Sequence, residues 1–129
     1  LDMALWKSKD FPREKLDWKK VKPPLHFIEI KNVTLAQENI AQFPDSVTER
    51  GQKHLSELMV LMDQGYTCEI IFLVQRNDCE YFSPADAIDK KYGELLREAK
   101  KRGVLITPLF CELSSTEIRP VAVPLPLKF

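Results

Sequence analysis

The chain has 129 residues, and its 19 basic and 19 acidic side chains give a net charge of zero. This length predicts one domain that buries roughly two-thirds of its unfolded surface, and the balanced composition excludes collagen, coiled coil and disorder. Zero net charge also excludes a global basic field, so any binding to nucleic acid must use a local patch.

The first third of the chain predicts a β-hairpin around a long loop. Residues 1–5 indicate a short strand, and residues 7–24 are rich in Lys, Asp and Pro, which predicts a loop or an insertion. The loop contains Trp18 and a basic cluster that either contacts phosphates or is merely solvated. The cluster consists of Lys15, Lys19, Lys20 and Lys22. A second strand is predicted from residue 27 to residue 35, and a turn follows it.

A first helix is predicted after this turn. The spacing of Ser46 and Glu49 is typical of a capping box, so the helix is expected to start near Val47 and to end at Gly65. An apolar stripe with helical spacing predicts its core face. The stripe consists of Leu55, Leu58, Met59 and Met62.

A second helix is predicted to start at Ser83 or Asp89 and to end at Gly103. Its inner face consists of Tyr92, Leu95, Leu96 and Ala99. The apolar run 68–74 precedes this helix and suits a strand that is covered on both sides, as in a parallel sheet.

Residues 104–113 predict a further strand, in which Pro108 indicates an edge or a bulge. The tail from Pro120 onward is expected to be extended and packed on the surface. Because strands alternate with helices, the sequence predicts one α/β domain with a mixed β-sheet and right-handed crossovers.

The cysteines indicate the compartment. Three of them are widely spaced without a C-x-x-C motif, which argues against a disulfide framework and indicates a reducing, cytoplasmic environment. Cys68 and Cys111 fall in apolar runs and are predicted to pack in the core. Neither His26 nor His54 belongs to a metal-ligand cluster, so a zinc site is not predicted. No apolar stretch is long enough to span a bilayer, so no membrane partner is expected.

One charged pair has the context of a catalytic motif. The sequence contains four (Asp/Glu)-x-Lys matches, but only Glu29 and Lys31 fall on a predicted strand. In a strand both side chains project to one face, whereas Ile28 and Ile30 project to the other. A carboxylate and an ammonium paired in this way suit a metal ion and a developing oxyanion. The simpler interpretation is a solvated pair on the exposed face of a half-buried strand.

Four segments carry a resemblance to a known family: FIEIKNVTL (27–35), FPDSVTERGQKHL (43–55), FSPA (82–85) and IDKKY (88–92). Together they resemble the C-terminal domain of the sugar fermentation stimulation protein family (SfsA), over nearly the whole chain. Leu1-Asp2-Met3 is similar to that family's Arg-x-Asp-Phe strand. The resemblance implies a restriction-endonuclease-like fold with a (D/E)xK nuclease core in a single domain 1–129. It also implies an OB-like N-terminal domain that this chain lacks.

The resemblance implies function as well. It implies binding to DNA without strong sequence preference and a role in regulating sugar (maltose) metabolism, which is a form of transcription regulation. It also implies a site in which Asp2, Glu29 and the carbonyl of Ile30 are ligands of Mg²⁺. Lys31 would then orient a water molecule or stabilise the transition state. The candidates for nucleic-acid contacts are Arg50, Lys53, His54, Gln75 and Arg76.

Two alternatives remain open. The first is an active Mg²⁺-dependent DNA nuclease, in which the same catalytic residues Asp2, Glu29 and Lys31 cleave phosphodiester bonds. The second is a protein-interaction module in which the acid–lysine pair is vestigial. A shared fold hosts many functions, so the residues of the site must decide between them.

Overall fold

The computed structural model describes residues 3–6, 25–113 and 118–129. The strands in these segments are β1 (Met3–Trp6), β2 (Leu25–Val33), β3 (Leu35–Gln37), β4 (Ile40–Phe43), β5 (Thr67–Val74), β6 (Tyr81–Pro84), β7 (Leu105–Leu113) and β8 (Ile118–Pro124). The helices are α1 (Glu49–Asp63) and α2 (Lys90–Lys101). Neither helix in this part of the chain has the length and apolarity needed to cross a membrane.

The larger sheet is mixed, as the sequence predicts. Its strands lie in the order β1-β2-β5-β7-β8, with parallel pairing among β2, β5 and β7 and antiparallel pairing at both edges. β5 lies at the centre, and alternate residues from Cys68 to Val74 are buried on one face. The opposite face of β5 is only partly covered and carries Glu69. We expected this strand to be buried on both faces, but only one of its faces is fully buried.

The sequence patterns do not predict the second sheet, which has the strand order β3-β4-β6. The strand predicted through residue 35 ends at Val33, and the chain then forms a hairpin whose turn places Glu38 at φ 55°. Residues 81–84 form β6 beside β4, so Ser83 does not begin the second helix. Strands of three and four residues contain too few alternating positions to give a clear periodic signal.

The C-terminal strands bear out one part of each expectation made for them. β7 lies between β5 and β8, so Pro108 is not on an edge, but the register shifts next to it, between Leu109 and Cys111, as it does at a bulge. The segment from Pro120 to Pro124 is extended, as expected, and it is paired with β7 as part of β8. β8 is the edge strand of the described sheet, where proline is tolerated because its missing N–H leaves no inner ladder bond unmade.

α1 begins two residues later than the capping-box pattern predicts. Thr48 is the N-cap, and its Oγ1 accepts a hydrogen bond from the Gly51 N–H at 3.0 Å. The predicted end is confirmed, because Gly65 has φ 92° and donates to Met62, while Tyr66 donates to Leu61. These two bonds are a Schellman motif, which satisfies the last carbonyls of a helix. The predicted apolar stripe of α1 packs against the core.

Asp89 is the N-cap of α2 and also holds the start of α1. Its Oδ1 accepts from the Tyr92 N–H at 3.0 Å, and its Oδ2 accepts from the Thr48 N–H at 2.9 Å. The Gln52 amide donates to both oxygens at 3.0 Å. Burial opposes ionisation of this carboxyl, but the hydrogen bonds outweigh it and hold the Asp89 pKa below its ordinary value of 3.8. One buried carboxylate thus joins the N-terminal ends of both helices.

The helices cover one face of the larger sheet, which we call the helix-covered face. On β2 this face carries Leu25, Phe27 and Val33, which pack in one core with apolar residues of both helices. Residues 29 and 31 lie in the same alternate positions of the strand. The core therefore continues directly into the acid–lysine pair.

The three cysteines are expected to be unreactive in the folded protein. All are free and buried, and burial raises the pKa of Cys68 to about 11 and also raises the pKa values of Cys79 and Cys111. Titration with a thiol reagent at pH 8 should label none of them before unfolding and all three in denaturant. Rapid labelling of one thiol in the native protein would show that its segment opens locally.

Candidate active site

β2 presents Glu29 and Lys31 to the helices and not to solvent. The Glu29 side chain is 2% exposed, and that of Lys31 is 16% exposed. The interpretation as a solvated pair is therefore wrong. Transfer of an isolated carboxylate into a protein interior is strongly unfavourable unless the charge is paired and hydrogen-bonded. The neighbours of Glu29 must accordingly compensate its charge.

Two polar side chains meet at one oxygen of Glu29. Lys31 Nζ lies 2.8 Å from Glu29 Oε1, and His54 Nδ1 lies 2.8 Å from the same atom. Lys31 Nζ and His54 Nδ1 are 3.0 Å apart. The ammonium can only donate and the ionised carboxylate can only accept. His54 Nδ1 therefore donates to Glu29 when it carries hydrogen, and accepts from Lys31 when it does not.

His54 lies deeper than the sequence analysis expects. The sequence makes it a candidate for contact with phosphate, and in the structure its side chain is 15% exposed and contacts Glu29. The signal was present in the helical spacing, because His54 precedes Leu58 by four residues and so extends the apolar stripe of α1. A polar residue that continues a core stripe needs a buried partner, and that partner comes from β2.

Tyr92 is a second polar group that helical spacing assigns to the core. It is fully buried, and its hydroxyl has no hydrogen-bond partner among the residues that the structure describes. Burial, followed by the negative charges of Glu29 and Asp89, raises the pKa of Tyr92 well above its ordinary value. The hydroxyl is therefore neutral and feels the electrostatic potential of both acids.

The remaining candidates for nucleic-acid contacts lie around the site in different settings. Arg50 and Lys53 are exposed on α1, and Lys53 Nζ is 4.0 Å from Glu57. Arg76 forms a forked pair with Asp78 at 2.9 and 2.7 Å, which lowers the pKa of Asp78 to about 2.

Gln75 and Arg76, in the loop after β5, form hydrogen bonds to residues at the end of β2. Arg76 Nη1 donates to the Thr34 carbonyl at 3.2 Å, and the Gln75 amide donates to Asn32 at 2.9 Å. Both candidates in this loop thus have close partners within the chain, whereas Arg50 and Lys53 are exposed and the Lys53–Glu57 distance is 4.0 Å.

The donor chemistry of the described residues suits a hard cation only in part. Glu29 supplies a carboxylate oxygen of the kind that Mg²⁺ and Ca²⁺ prefer. The described part of the chain contains no group of three or more His, Cys, Asp or Glu residues that could hold a metal ion. Asp2, the predicted second ligand, lies outside the described residues. Met3, the first residue described, pairs with Ile28 beside Glu29 on the neighbouring strand.

Comparisons with known proteins identify the family and the fold of this chain. The family model described as the sugar fermentation stimulation protein RE domain matches residues 5–117. A sugar fermentation stimulation protein homolog of Bdellovibrio bacteriovorus is 58% identical over 104 residues, which are 81% of this chain and 43% of that protein. A homolog from Caldanaerobacter subterraneus is 39% identical over 113 residues, covering 87% of this chain and 49% of the relative. The chain thus spans less than half the length of these curated relatives.

A solved structure provides the comparison in three dimensions. SfsA of Pyrococcus furiosus, in complex with Ca²⁺, superposes with a TM-score of 0.76 at 31% sequence identity. The match covers 81% of this chain and 46% of the Pyrococcus protein. The chain belongs to the sugar fermentation stimulation protein family and has its restriction-endonuclease-like α/β fold.

Proposed function

We propose that this domain binds DNA at a divalent-cation site built on Glu29, and that Lys31 acts there on the phosphate. The observation that carries the proposal is the buried Glu29 carboxylate with the Lys31 ammonium 2.8 Å from its Oε1. The pair resembles the acid–lysine arrangement of nucleases, and a relative with the same fold binds Ca²⁺. In this proposal Asp2 and the carbonyl of Ile30 are the further ligands, and Mg²⁺ is the working ion.

The residues of the chain divide the chemistry between them. A bound divalent cation supplies a Lewis acid that polarises the phosphoryl oxygen and acidifies a water molecule. Glu29 holds a ligand position, and Lys31 offers donors to the negative charge that develops on the phosphate. His54 keeps the Glu29 carboxylate in place from α1 and excludes bulk water from that side.

The polarity of α1 favours a phosphate-bearing partner. Arg50 precedes His54 by four residues, so the two side chains lie on neighbouring turns of the same helix face. Arg50 and Lys53 therefore form a local basic patch beside the buried pair, which a chain of zero net charge requires for binding DNA. Because the contacts in this proposal are to the backbone, binding would have no strong sequence preference. Regulation of sugar metabolism would then act through DNA.

Hydrolysis is the second candidate function, and the Lys31 position favours it. A site that only anchors a cation does not need an ammonium against the ligating carboxylate, whereas phosphoryl transfer does use such a group. Incubation of supercoiled and linear DNA with the protein and Mg²⁺ or Mn²⁺ tests this candidate. Cleavage that chelator abolishes supports it, and intact DNA with every ion excludes turnover by this chain. Ca²⁺-dependent binding of labelled duplex tests the first candidate separately.

The Arg50→Ala/Lys53→Ala variant is expected to weaken DNA binding for every sequence tested. Each phosphate contact contributes a slope of about −0.9 to the plot of log affinity against log salt concentration, so the slope should become shallower by one to two units, on the order of the contacts removed. Fluorescence anisotropy with a labelled duplex at several salt concentrations measures this slope.

Lys101→Ala is the matched control for this variant, because Lys101 is an exposed lysine in the last turn of α2. Asp89 joins the N-terminal ends of the helices, and Arg102 contacts Asp63 at their C-terminal ends, so Lys101 lies away from Arg50. Equal losses in the control and in the α1 variant would contradict the proposed position of the DNA.

A further inference from the structure

The Tyr92 hydroxyl is a buried polar group that packing does not require. The Tyr92 ring lies at 5.2 Å from the Phe43 ring in an edge-to-face arrangement, and phenylalanine could make this contact equally well. The hydroxyl adds a polar atom that is buried without a hydrogen-bond partner among the described residues. Such a group destabilises a fold, so its presence calls for an explanation other than packing.

One of the two neighbouring acids has no acceptor capacity left for this hydroxyl. A carboxylate offers about four acceptor positions. Asp89 receives four hydrogen-bond contacts, from the Thr48 and Tyr92 backbone N–H groups and twice from the Gln52 amide. The other nearby acid is Glu29. Gly51 lies against the Tyr92 ring and His54 contacts Glu29 at 2.8 Å, and these two residues are three positions apart on one face of α1.

α1 also restricts where the hydroxyl end of Tyr92 can move. Gly51 lies against the ring, and a Cβ at this position would lie only 3.1 Å from Tyr92 Cε2. Phe43 packs against the same ring at 5.2 Å, and the Tyr92 N–H is bound to Asp89, which fixes the backbone from which the ring projects. These contacts limit the movement of the phenol.

We propose that Tyr92 is a positioning residue of the Glu29 site, whose hydroxyl donates a hydrogen bond to the Glu29 carboxylate, or to a water molecule held against it, when a divalent cation is bound. This inference rests on the proposed function, because it gives the hydroxyl a partner in the cation-bound state. Outer hydrogen-bond partners orient ligating carboxylates, and their removal weakens metal affinity by about 10–100-fold.

Tyr92→Phe separates this role from a structural one. If the hydroxyl serves the cation site, the variant should unfold at the same or a higher temperature without metal, and its Ca²⁺ affinity should fall by about 10–100-fold. Calorimetric titration with Ca²⁺ and thermal unfolding followed by circular dichroism give the two values without reference to catalytic activity. If the hydroxyl served only the fold, Tyr92→Phe would lower stability and leave Ca²⁺ affinity unchanged.

Tyr81→Phe is the matched control, because Tyr81 is a half-buried tyrosine on β6 whose ring contacts Lys128. Its Ca²⁺ affinity should equal that of the original chain. An affinity of Tyr92→Phe within twofold of the original chain would overturn the inference while leaving the cation site standing. Absence of Ca²⁺ binding by the original chain would overturn both the inference and the proposed function.

Discussion

Replacing Glu29 with Gln is expected to weaken divalent-cation binding by at least about 100-fold, because it removes a ligating charge and not only an outer partner. Lys31→Ala should behave differently. It removes a positive charge next to the ligand, so cation affinity should hold or rise, while any cleavage of DNA falls by about 10²–10³-fold. Calorimetric titration with Mg²⁺ and Ca²⁺, together with a cleavage assay, separates the two roles.

The stability of these two variants provides a second measurement. Lys31→Ala leaves the buried Glu29 charge with less compensation, and breaking a buried pair costs about 3–5 kcal/mol, or less where a partner keeps some solvent contact, as Lys31 does. Addition of Mg²⁺ should therefore raise the unfolding temperature of Lys31→Ala more than that of the original chain. Glu57→Gln, which changes an exposed acid on α1, is the control. Unaltered cation affinity in Glu29→Gln would assign the cation to another position.

The local elements of the fold could be predicted from the sequence because their signals are local. The stripe on α1 and the inner face of α2 recur every three to four residues, and Gly65 and Gly103 end the helices with positive φ values. The N-cap of α2 at Asp89 was one of two predicted starts. The second sheet was missed because its strands are short and because β4 pairs with β6, which is distant in sequence.

The covered face of β2 could not be predicted from alternation alone. Ile28 and Ile30 suggest one apolar face, but Leu25, Phe27 and Val33 on the other face are buried with Glu29. Both faces of the strand carry apolar residues, and only the position of the helices decides which of them receives the charged pair. The pair was therefore found by its spacing, whereas its burial follows from topology.

The contact between His54 and Glu29 could not be predicted from the sequence, for a related reason. Helical spacing marks Tyr92 as core and leaves His54 at the edge of the stripe, but it carries no information about the strand beneath them. His54 meets Glu29 across 25 positions of the chain, and this contact exists only in the folded state. The available signal was the presence of two polar residues, His54 and Tyr92, within the apolar stripes of the helices.

Asp89→Ala is expected to lower stability by about 2–4 kcal/mol, because it removes the N-cap of α2 and leaves the part-buried Thr48 N–H and the buried Tyr92 N–H without their acceptor. Asp89→Asn should lower stability by less, because its amide oxygen still accepts a hydrogen bond. Some loss remains, because its NH₂ group cannot accept from the donors that face it. Urea unfolding at pH 7 measures both values. The unfolding slope should stay constant, which would show that stability has changed and not the compactness of the denatured state.

The pH dependence of the same variants tests the charge of Asp89. Its folded-state pKa lies below the ordinary 3.8, so its contribution is fully present above that value and is lost as the pH falls through the folded pKa. Below about pH 4 the stability of the original chain should therefore fall more steeply than that of Asp89→Asn. The other acids are the same in both proteins, so they do not contribute to this difference. Parallel acid profiles would mean that the Asp89 pKa is the same in the folded and unfolded states. In that case ionisation of Asp89 would add nothing to the hydrogen bonds by which it joins the two helices that carry His54 and Tyr92.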